Sequence, residues 1–200
     1  DPVMFLEPTR MYRLFRQEVA DDGEALPLDV CFTLRGGTDL TLVSWGAMLH
    51  ETQAAADALA TEGISAEVID VATLKPLDLP TILESVARTG RCVIVHEAAR
   101  TAGLGAEIAA GLAEEGLYSL LAPVQRVTGY DTVMPLSRLE TQYLPSVERI
   151  VAVERERKSE SRERTFSTDQ TDPTLMRGEV AAMGRTVAEH LGKQGISGRT

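Results

Sequence analysis

A regular alternation of apolar strands and amphipathic helices, from residue 40 to residue 127, constrains the fold of this chain more than any other feature. Apolar and β-branched runs at residues 40–45, 64–71 and 92–95, and within residues 117–127, are typical of strands buried in a sheet. They recur at a spacing of about 25 residues, which fits βαβ units with right-handed crossovers. The sequence therefore predicts a three-layer α/β domain, in which a mostly parallel open sheet carries helices on both faces.

Three helices are predicted between these strands, each with one apolar face and a glycine just after its end. The first covers residues 46–61, the second follows the capping residue Asp78, and the third begins near residue 104. The glycines that end them are Gly63, Gly90 and Gly116. The positions expected to face the core are, in chain order, Met48, Thr52, Ala55, Ala56 and Leu59, then Leu79, Ile82, Leu83, Val86 and Ala87, then Leu104, Ile108, Ala109, Leu112 and Ala113.

The beginning of the chain departs from this pattern. We expect residues 1–38 to form a lead-in arm that adds an edge strand or packs on a neighbour. Within it, strands are predicted at residues 3–6 and 29–34, and a short helix or irregular segment at residues 12–19. Residues 39–153 then form the α/β domain itself.

Residues 154–200 have a different composition. Charged residues alternate from Glu154 onwards, and residues 159–173 are rich in Ser, Thr, Asp and Arg, so this part can bury little apolar surface. We therefore expect a solvated helix end followed by a linker and a poorly ordered tail. Residues 176–191 have the apolar spacing of a short amphipathic helix.

Charge and cysteine content exclude several functional classes. The chain has 30 acidic and 20 basic residues, a net charge of −10, which argues against nucleic acid or an anionic membrane as a partner. No apolar run is long enough to span a bilayer. Cys31 and Cys92 are too few for a disulfide framework, and no secretion leader opens the sequence, so we expect a cytoplasmic location. Because the chain begins with Asp1 rather than methionine, we expect it to be a piece of a longer protein.

Two glycine-containing turns follow predicted strands, where open α/β sheets bind ligands. Gly46 follows a strand as the first glycine of a dinucleotide-binding motif does, and Asp70 lies about where that motif has an acid for the ribose. The other two glycines of the motif are missing, so a nicotinamide site is disfavoured. Gly103 and Gly105 open a helix whose amide groups could hold an anion. The alternative, favoured because no phosphate-loop Lys-Ser/Thr pair follows, is a tight turn in which Gly105 lets the helix pack on the sheet.

His96 and Glu97 form the most suggestive pair, because a histidine at the end of a buried strand could act as a general acid or base. Adjacent strand residues point to opposite faces, however, and the preferred alternative is a histidine that fixes a loop or an interface by hydrogen bonding. His50 and His190 are expected to be solvated or packed. The loop at residues 129–132 is either a partner-recognition loop or a turn. No cluster has metal-ligand spacing, so the residues themselves assign no catalytic, cofactor-binding or metal-binding group.

Several blocks of the sequence resemble one protein family and occur in the order that the family has them. The blocks are residues 5–8 (FLEP), 12–13 (YR), 39–46 (DLTLVSWG), 66–70 (AEVID), 74–78 (LKPLD), 89–91 (TGR), 96–98 (HEA), 105–108 (GAEI), 122–123 (AP) and 126–129 (RVTG). The chain is similar to the C-terminal part of the β subunit of thiamine-dependent 2-oxo acid dehydrogenases. These are the decarboxylating components of the pyruvate and branched-chain 2-oxo acid complexes, and Trp45 and residues 129–132 look more like branched-chain members.

The resemblance implies the transketolase C-terminal domain fold, an α2β2 assembly and docking onto a dihydrolipoyl acyltransferase core. It implies that the intact enzyme oxidatively decarboxylates a branched-chain 2-oxo acid or pyruvate and transfers the acyl group to lipoyl-lysine. It places thiamine diphosphate and Mg²⁺ between the α subunit and the preceding β domain, so no catalytic, cofactor or metal residue is carried over to this chain. The isolated chain is expected to be inactive. The alternative is a stand-alone interaction module or a small-ligand-binding domain without catalysis.

Two features depart from the family pattern. Family members usually carry an acid just before the Ala-Pro pair that matches Ala122 and Pro123, and this acid helps to hold a basic face of the acyltransferase's subunit-binding domain. Here Leu120 and Leu121 occupy that stretch. Family chains also tend to end soon after the helix that begins near Ser146, whereas this chain continues to residue 200. We therefore expect the docking surface to differ, or to be covered by the tail.

Overall fold

The computed structural model describes residues 2–16 and 18–163, with side chains as far as Arg155. The elements of this part are β1 (Phe32–Arg35), β2 (Leu40–Ser44), α1 (Met48–Thr61), β3 (Ala66–Asp70), α2 (Leu79–Thr89), β4 (Cys92–Ala99), α3 (Leu104–Glu115), β5 (Gln125–Gly129), α4 (Glu140–Tyr143) and α5 (Val147–Glu163). Short 3-10 turns lie at Thr9–Arg13 and Leu117–Ser119. The predicted tail helix at residues 176–191 and His190 lie outside the described residues.

The strands form one sheet in the order β1-β3-β2-β4-β5. β2 pairs in parallel with β3 and with β4, β4 pairs in parallel with β5, and β1 runs antiparallel to β3 at the edge. The chain moves from β2 outward to β3 and then crosses back, through α2, to the other side of β2. The order of the strands therefore reverses between β2 and β4, whose carboxyl ends lie side by side.

Helices cover both faces of this sheet. α1 and α5 pack on one face and contribute Leu59 and Ile150 to its core. α2 and α3 pack on the opposite face and contribute Ile82 and Ile108. This arrangement confirms the predicted three-layer α/β fold with a mostly parallel sheet. None of the described helices combines the length and the apolar character needed to cross a bilayer.

Some predicted elements differ from those observed. Residues 117–121 form a 3-10 turn and a bend instead of a strand, and the strand that follows is β5 alone. Residues 3–6 pair with no strand, because β1 already covers the sheet edge beside β3. Residues 12–19 were predicted as a short helix or an irregular segment, and their described part is irregular after the 3-10 turn at Thr9–Arg13.

A buried hydroxyl cluster between β2 and α2 explains a further difference. Thr41 is hydrogen-bonded to Ser85 and to Thr89, each at 2.7 Å between oxygen atoms. Ser85 therefore faces the sheet, whereas Ala87, which was predicted to do so, is exposed. The buried hydroxyl groups form hydrogen bonds with one another, so these polar residues can be accommodated in the core.

The start of the predicted charged segment packs on the domain. Glu154 is only 1% exposed and forms an ion pair with Arg91 at 3.5 Å, and Arg155 pairs with Glu62. The expectation of a solvated helix end beginning at Glu154 is therefore wrong at its first residue, because Arg91 supplies the opposite charge. The chain divides into two units, residues 1–157 and residues 158–200.

Candidate functional site at the carboxyl ends of β2 and β4

The candidate site lies where the order of the strands reverses, which is the usual ligand position of an open α/β sheet. Trp45 follows β2 and His96 lies near the end of β4, and the centroids of their rings are 5.4 Å apart. Both lie on the face that carries α2 and α3, two residues beyond Val43 and Ile94 of that core. The fold therefore brings an indole and an imidazole together at this position.

His96 is almost inaccessible, with 1% of its surface exposed, and neither ring nitrogen has a hydrogen-bond partner among the described residues. Its ring lies against the first turn of α3: a Cβ on Gly103 would collide with Cε1, and one on Gly105 would lie 3.0 Å from Nε2. Burial, and then the positive charge of Arg126, lower the pKa of His96, which favours the neutral imidazole. The ring therefore holds the turn by packing and not by the hydrogen bonding that the sequence suggested. Glu97 is exposed and does not share its environment.

The first turn of α3 matches the predicted tight turn. The helix begins directly after Gly103, and no side chain caps it. A Cβ on Gly105 would lie 3.2 Å from Cγ2 of Ile94 as well as against His96, so the missing Cβ lets the helix approach the sheet. Because no side chain accepts from its first amide groups, the anion-binding alternative also stays open.

Residues 100–103 connect β4 to α3 and are held by two pairs of contacts. Arg100 donates to the carbonyl oxygen of Arg126 at 3.2 Å, and Arg126 donates to that of Arg100 at 3.0 Å. The N–H and the hydroxyl of Thr101 donate to the carboxylate of Asp131 at 2.8 Å and 2.7 Å. These two bonds from Thr101 hold the pKa of Asp131 below its usual value. The turn is thus fixed to the strand and loop beside it.

The loop at residues 129–132 is anchored from its other side by α5. The Arg149 guanidinium lies 4.6 Å from the centroid of the Tyr130 ring and donates to the carbonyl oxygen of Thr128 at 2.7 Å. The Tyr143 hydroxyl donates to the carbonyl oxygen of Tyr130 at 3.1 Å. The loop is therefore a well-anchored turn, and partner recognition by it stays a prediction.

Gly46 and Asp70 are both used by local turns. Gly46 has φ +58°, and a Cβ there would lie 3.4 Å from the side chain of Pro8 in the arm. Asp70 accepts a hydrogen bond from the Ala72 N–H at 2.9 Å, and burial raises its pKa. These contacts add no support to the disfavoured nicotinamide site.

The described residues do not provide a metal site or a reactive thiol. No group of three or more His, Cys, Asp or Glu side chains among them could hold a metal ion. Burial, and then the charges of Asp78 and Asp70, raise the pKa of Cys31 to about 12, so it is not a nucleophile, and Cys92 is buried. The described residues therefore offer no carboxylate cluster for Mg²⁺, and the binding of thiamine diphosphate and Mg²⁺ outside them stays a prediction.

Two features of this region could not be predicted from the sequence. One is the role of Arg149, whose partners lie on elements earlier in the chain. The other is the contact of Trp45 with His96, because that contact depends on the order of the strands. The position of Arg149 directly before the apolar run at residues 150–153 was the available signal.

Together these features define a small α/β domain that brings an indole and an imidazole together at its strand ends, while its described residues assemble no set of catalytic side chains. The family model for the transketolase C-terminal domain matches residues 31–150. The chain therefore belongs to the transketolase C-terminal domain family, as the blocks of similar sequence predicted.

Individual relatives agree with this assignment. The chain is 47% identical over 146 residues to the pyruvate dehydrogenase E1 component subunit beta of Bacillus subtilis, a match that covers 73% of the chain and 45% of the relative. The subunit of the same name from Staphylococcus epidermidis is 43% identical over 151 residues, covering 76% and 46%. A solved structure described as a split-gene transketolase, an inactive beta4 tetramer, matches with a TM-score of 0.59 and 31% identity, covering 70% of the chain and 45% of that structure. The chain thus spans about half the length of the curated relatives it matches.

Proposed function

We propose that this chain is the C-terminal half of the β subunit of a thiamine-dependent 2-oxo acid dehydrogenase. The observation that carries this proposal is the 47% identity over 146 residues to a pyruvate dehydrogenase E1 component subunit beta. The intact enzyme would oxidatively decarboxylate its substrate in the cytoplasm and pass the acyl group to lipoyl-lysine. The named relatives favour pyruvate, and a branched-chain 2-oxo acid is the second candidate substrate.

In this proposal the chain supplies structure and no catalytic groups. Its one catalytic candidate, His96, is buried against α3 and has no group beside it to exchange a proton with. The described residues contain no metal-binding cluster. Following the family resemblance, we place thiamine diphosphate and Mg²⁺ between the α subunit and the preceding β domain.

Exposed apolar side chains support a role in subunit pairing. The arm exposes the side chains of Val3, Met4 and Phe5. In the segment after β5, Val133 and Leu136 are each 88% exposed. Exposed apolar surface of this kind is typical of protein interfaces. We infer that an α2β2 assembly covers these side chains.

Assembly is tested by mixing the chain with the α subunit and the preceding half of the β subunit, and measuring the mass of the complex by light scattering. We expect the mass of an α2β2 assembly in which each β subunit consists of two chains, so that six chains are present. A Val133→Asp, Leu136→Asp double variant should lose it, whereas Ala87→Asp, at an exposed position of α2, should keep it. A chain that remains separate from both partners would contradict the proposal and favour a stand-alone domain.

Docking of the acyltransferase core is proposed at the surface around Leu121. Leu121 is 77% exposed, and its N–H donates to the carbonyl oxygen of Gly90 at 2.8 Å. A leucine cannot pair with a basic binding domain, so we expect an apolar contact with little salt dependence. Leu121→Glu should replace this contact with a salt-dependent one, whereas Leu117→Glu should not. Equal changes in the salt dependence of the two variants in a calorimetric titration would contradict docking at this position.

A further inference from the structure

The carboxyl ends of β2 and β4 form a site that the scaffold role leaves unused. We propose that the first turn of α3, Arg126 and His96 bind a small oxyanion, the phosphate or carboxylate group of a metabolite. The inference rests on the position of these groups in the fold, on their charge and on the two unpartnered nitrogen atoms of His96.

The position is the one at which open α/β sheets bind ligands. β2 leads into α1 on one face of the sheet, whereas β4 leads into α3 on the opposite face. Where neighbouring strands are followed by helices on opposite faces, a crevice forms beyond their carboxyl ends. Trp45 and His96 lie at this position, with their ring centroids 5.4 Å apart.

The charges at this position favour an anion. α3 has 12 residues, and no side chain caps its first amide groups, which carry a partial positive charge. Asp131 accepts from Thr101 and faces the charge of Arg100. Arg126, by contrast, forms no ion pair within the described part of the chain. Its guanidinium donates to the carbonyl oxygen of Arg100, and its positive charge acts on His96, so an oxyanion near His96 would find a cation that no carboxylate neutralises.

His96 provides an independent observation. Its ring is buried and aimed at the first turn of α3, where Gly103 and Gly105 leave room for it, yet both nitrogen atoms lack partners in the described residues. A buried polar group without a hydrogen bond is costly and rare in native proteins. A neutral imidazole can donate one N–H, and an anionic oxygen bound at the helix start would accept it.

Access to this ring requires movement of residues 100–103. The turn contains Ala102 in the left-handed region, at φ +59°, a conformation that residues with a Cβ rarely adopt. The hydrogen bonds that hold the turn, from Thr101 to Asp131 and between Arg100 and Arg126, are exposed to water, which can replace them. The turn is therefore a suitable cover for a small ligand.

The test is a titration of the 200-residue chain with inorganic phosphate at constant ionic strength, followed by the fluorescence of Trp45, the single tryptophan. The same titration with acetate distinguishes a phosphate from a carboxylate group. We expect a saturable change with at least one of the two anions, together with a shift of the His96 ring resonances in NMR spectra. Arg126→Gln should weaken binding by about tenfold or more. Arg138→Gln, which removes an exposed charge elsewhere, should leave the affinity unchanged.

Two results would overturn the proposal. One is the absence of a saturable response to both anions, and the other is an equal affinity in the Arg126→Gln and Arg138→Gln variants. His96→Gln should also weaken binding, and circular dichroism shows whether it folds. If it does not, the Arg126→Gln comparison decides the matter, because Arg126 is only half-buried.

Discussion

Replacing Gly103 with alanine tests whether the His96 ring packs on the first turn of α3. The added Cβ would collide with the ring and lie 2.7 Å from the carbonyl oxygen of Ala99. Neither a backbone carbonyl nor a fully buried ring can move aside easily, and overpacking of this kind costs about 1–3 kcal/mol. The φ of Gly103 is −81°, which suits alanine, so backbone strain adds nothing. For a urea slope of about 2 kcal/mol per molar, the unfolding midpoint should fall by about 0.5–1.5 M.

The control for this substitution is Gly36→Ala. Gly36 is exposed, and a Cβ there would meet no atom within 4 Å, so its free energy of unfolding should change by less than about 0.5 kcal/mol or rise slightly. In a His96→Ala background, the cost of Gly103→Ala should shrink by about 1 kcal/mol, because one of its two clashes is gone. A Gly103→Ala variant as stable as Gly36→Ala would refute the placement of the His96 ring.

Two further predictions concern the same region. Burial, and then the charge of Arg126, lower the pKa of His96, so on acidification the unfolded chain takes up a proton at this residue before the folded chain does. The free energy of unfolding should therefore fall as the pH drops below about 6.5. In urea melts, His96→Gln should show a weaker dependence on pH over this range. Arg149→Ala removes the contact with the Tyr130 ring and several charged hydrogen bonds, and should cost about 2–3 kcal/mol. The exposed control Arg138→Ala should cost less than about 0.5 kcal/mol in the same thermal melts, and a similar loss in both variants would contradict the anchoring role of Arg149.

The central elements could be predicted because their signals are local. The spacing of apolar residues marked α1, α2 and α3, and Gly63 and Gly90 follow α1 and α2, both with positive φ. The apolar run at residues 117–121 misled the prediction, since a short run of this kind does not by itself distinguish a strand from a turn.

Contacts between distant residues could not be predicted in the same way. Glu154 is buried because Arg91, 63 positions earlier, lies beside it. Likewise, His96 meets Trp45 only because α2 carries the chain back across β2. Apolar spacing gives the elements but not the order in which the strands pair, so the residues at the candidate site were recognised singly and not as a group.

The central claim is that this chain is the structural half of a larger subunit and has no catalytic chemistry of its own. The most direct measurement is thiamine-dependent release of carbon dioxide from pyruvate, first with the purified chain and then after addition of the α subunit and the preceding half of the β subunit. We expect no release by the chain alone and turnover by the reconstituted assembly. Release by the isolated chain, or a reconstituted activity that does not depend on its presence, would contradict the claim.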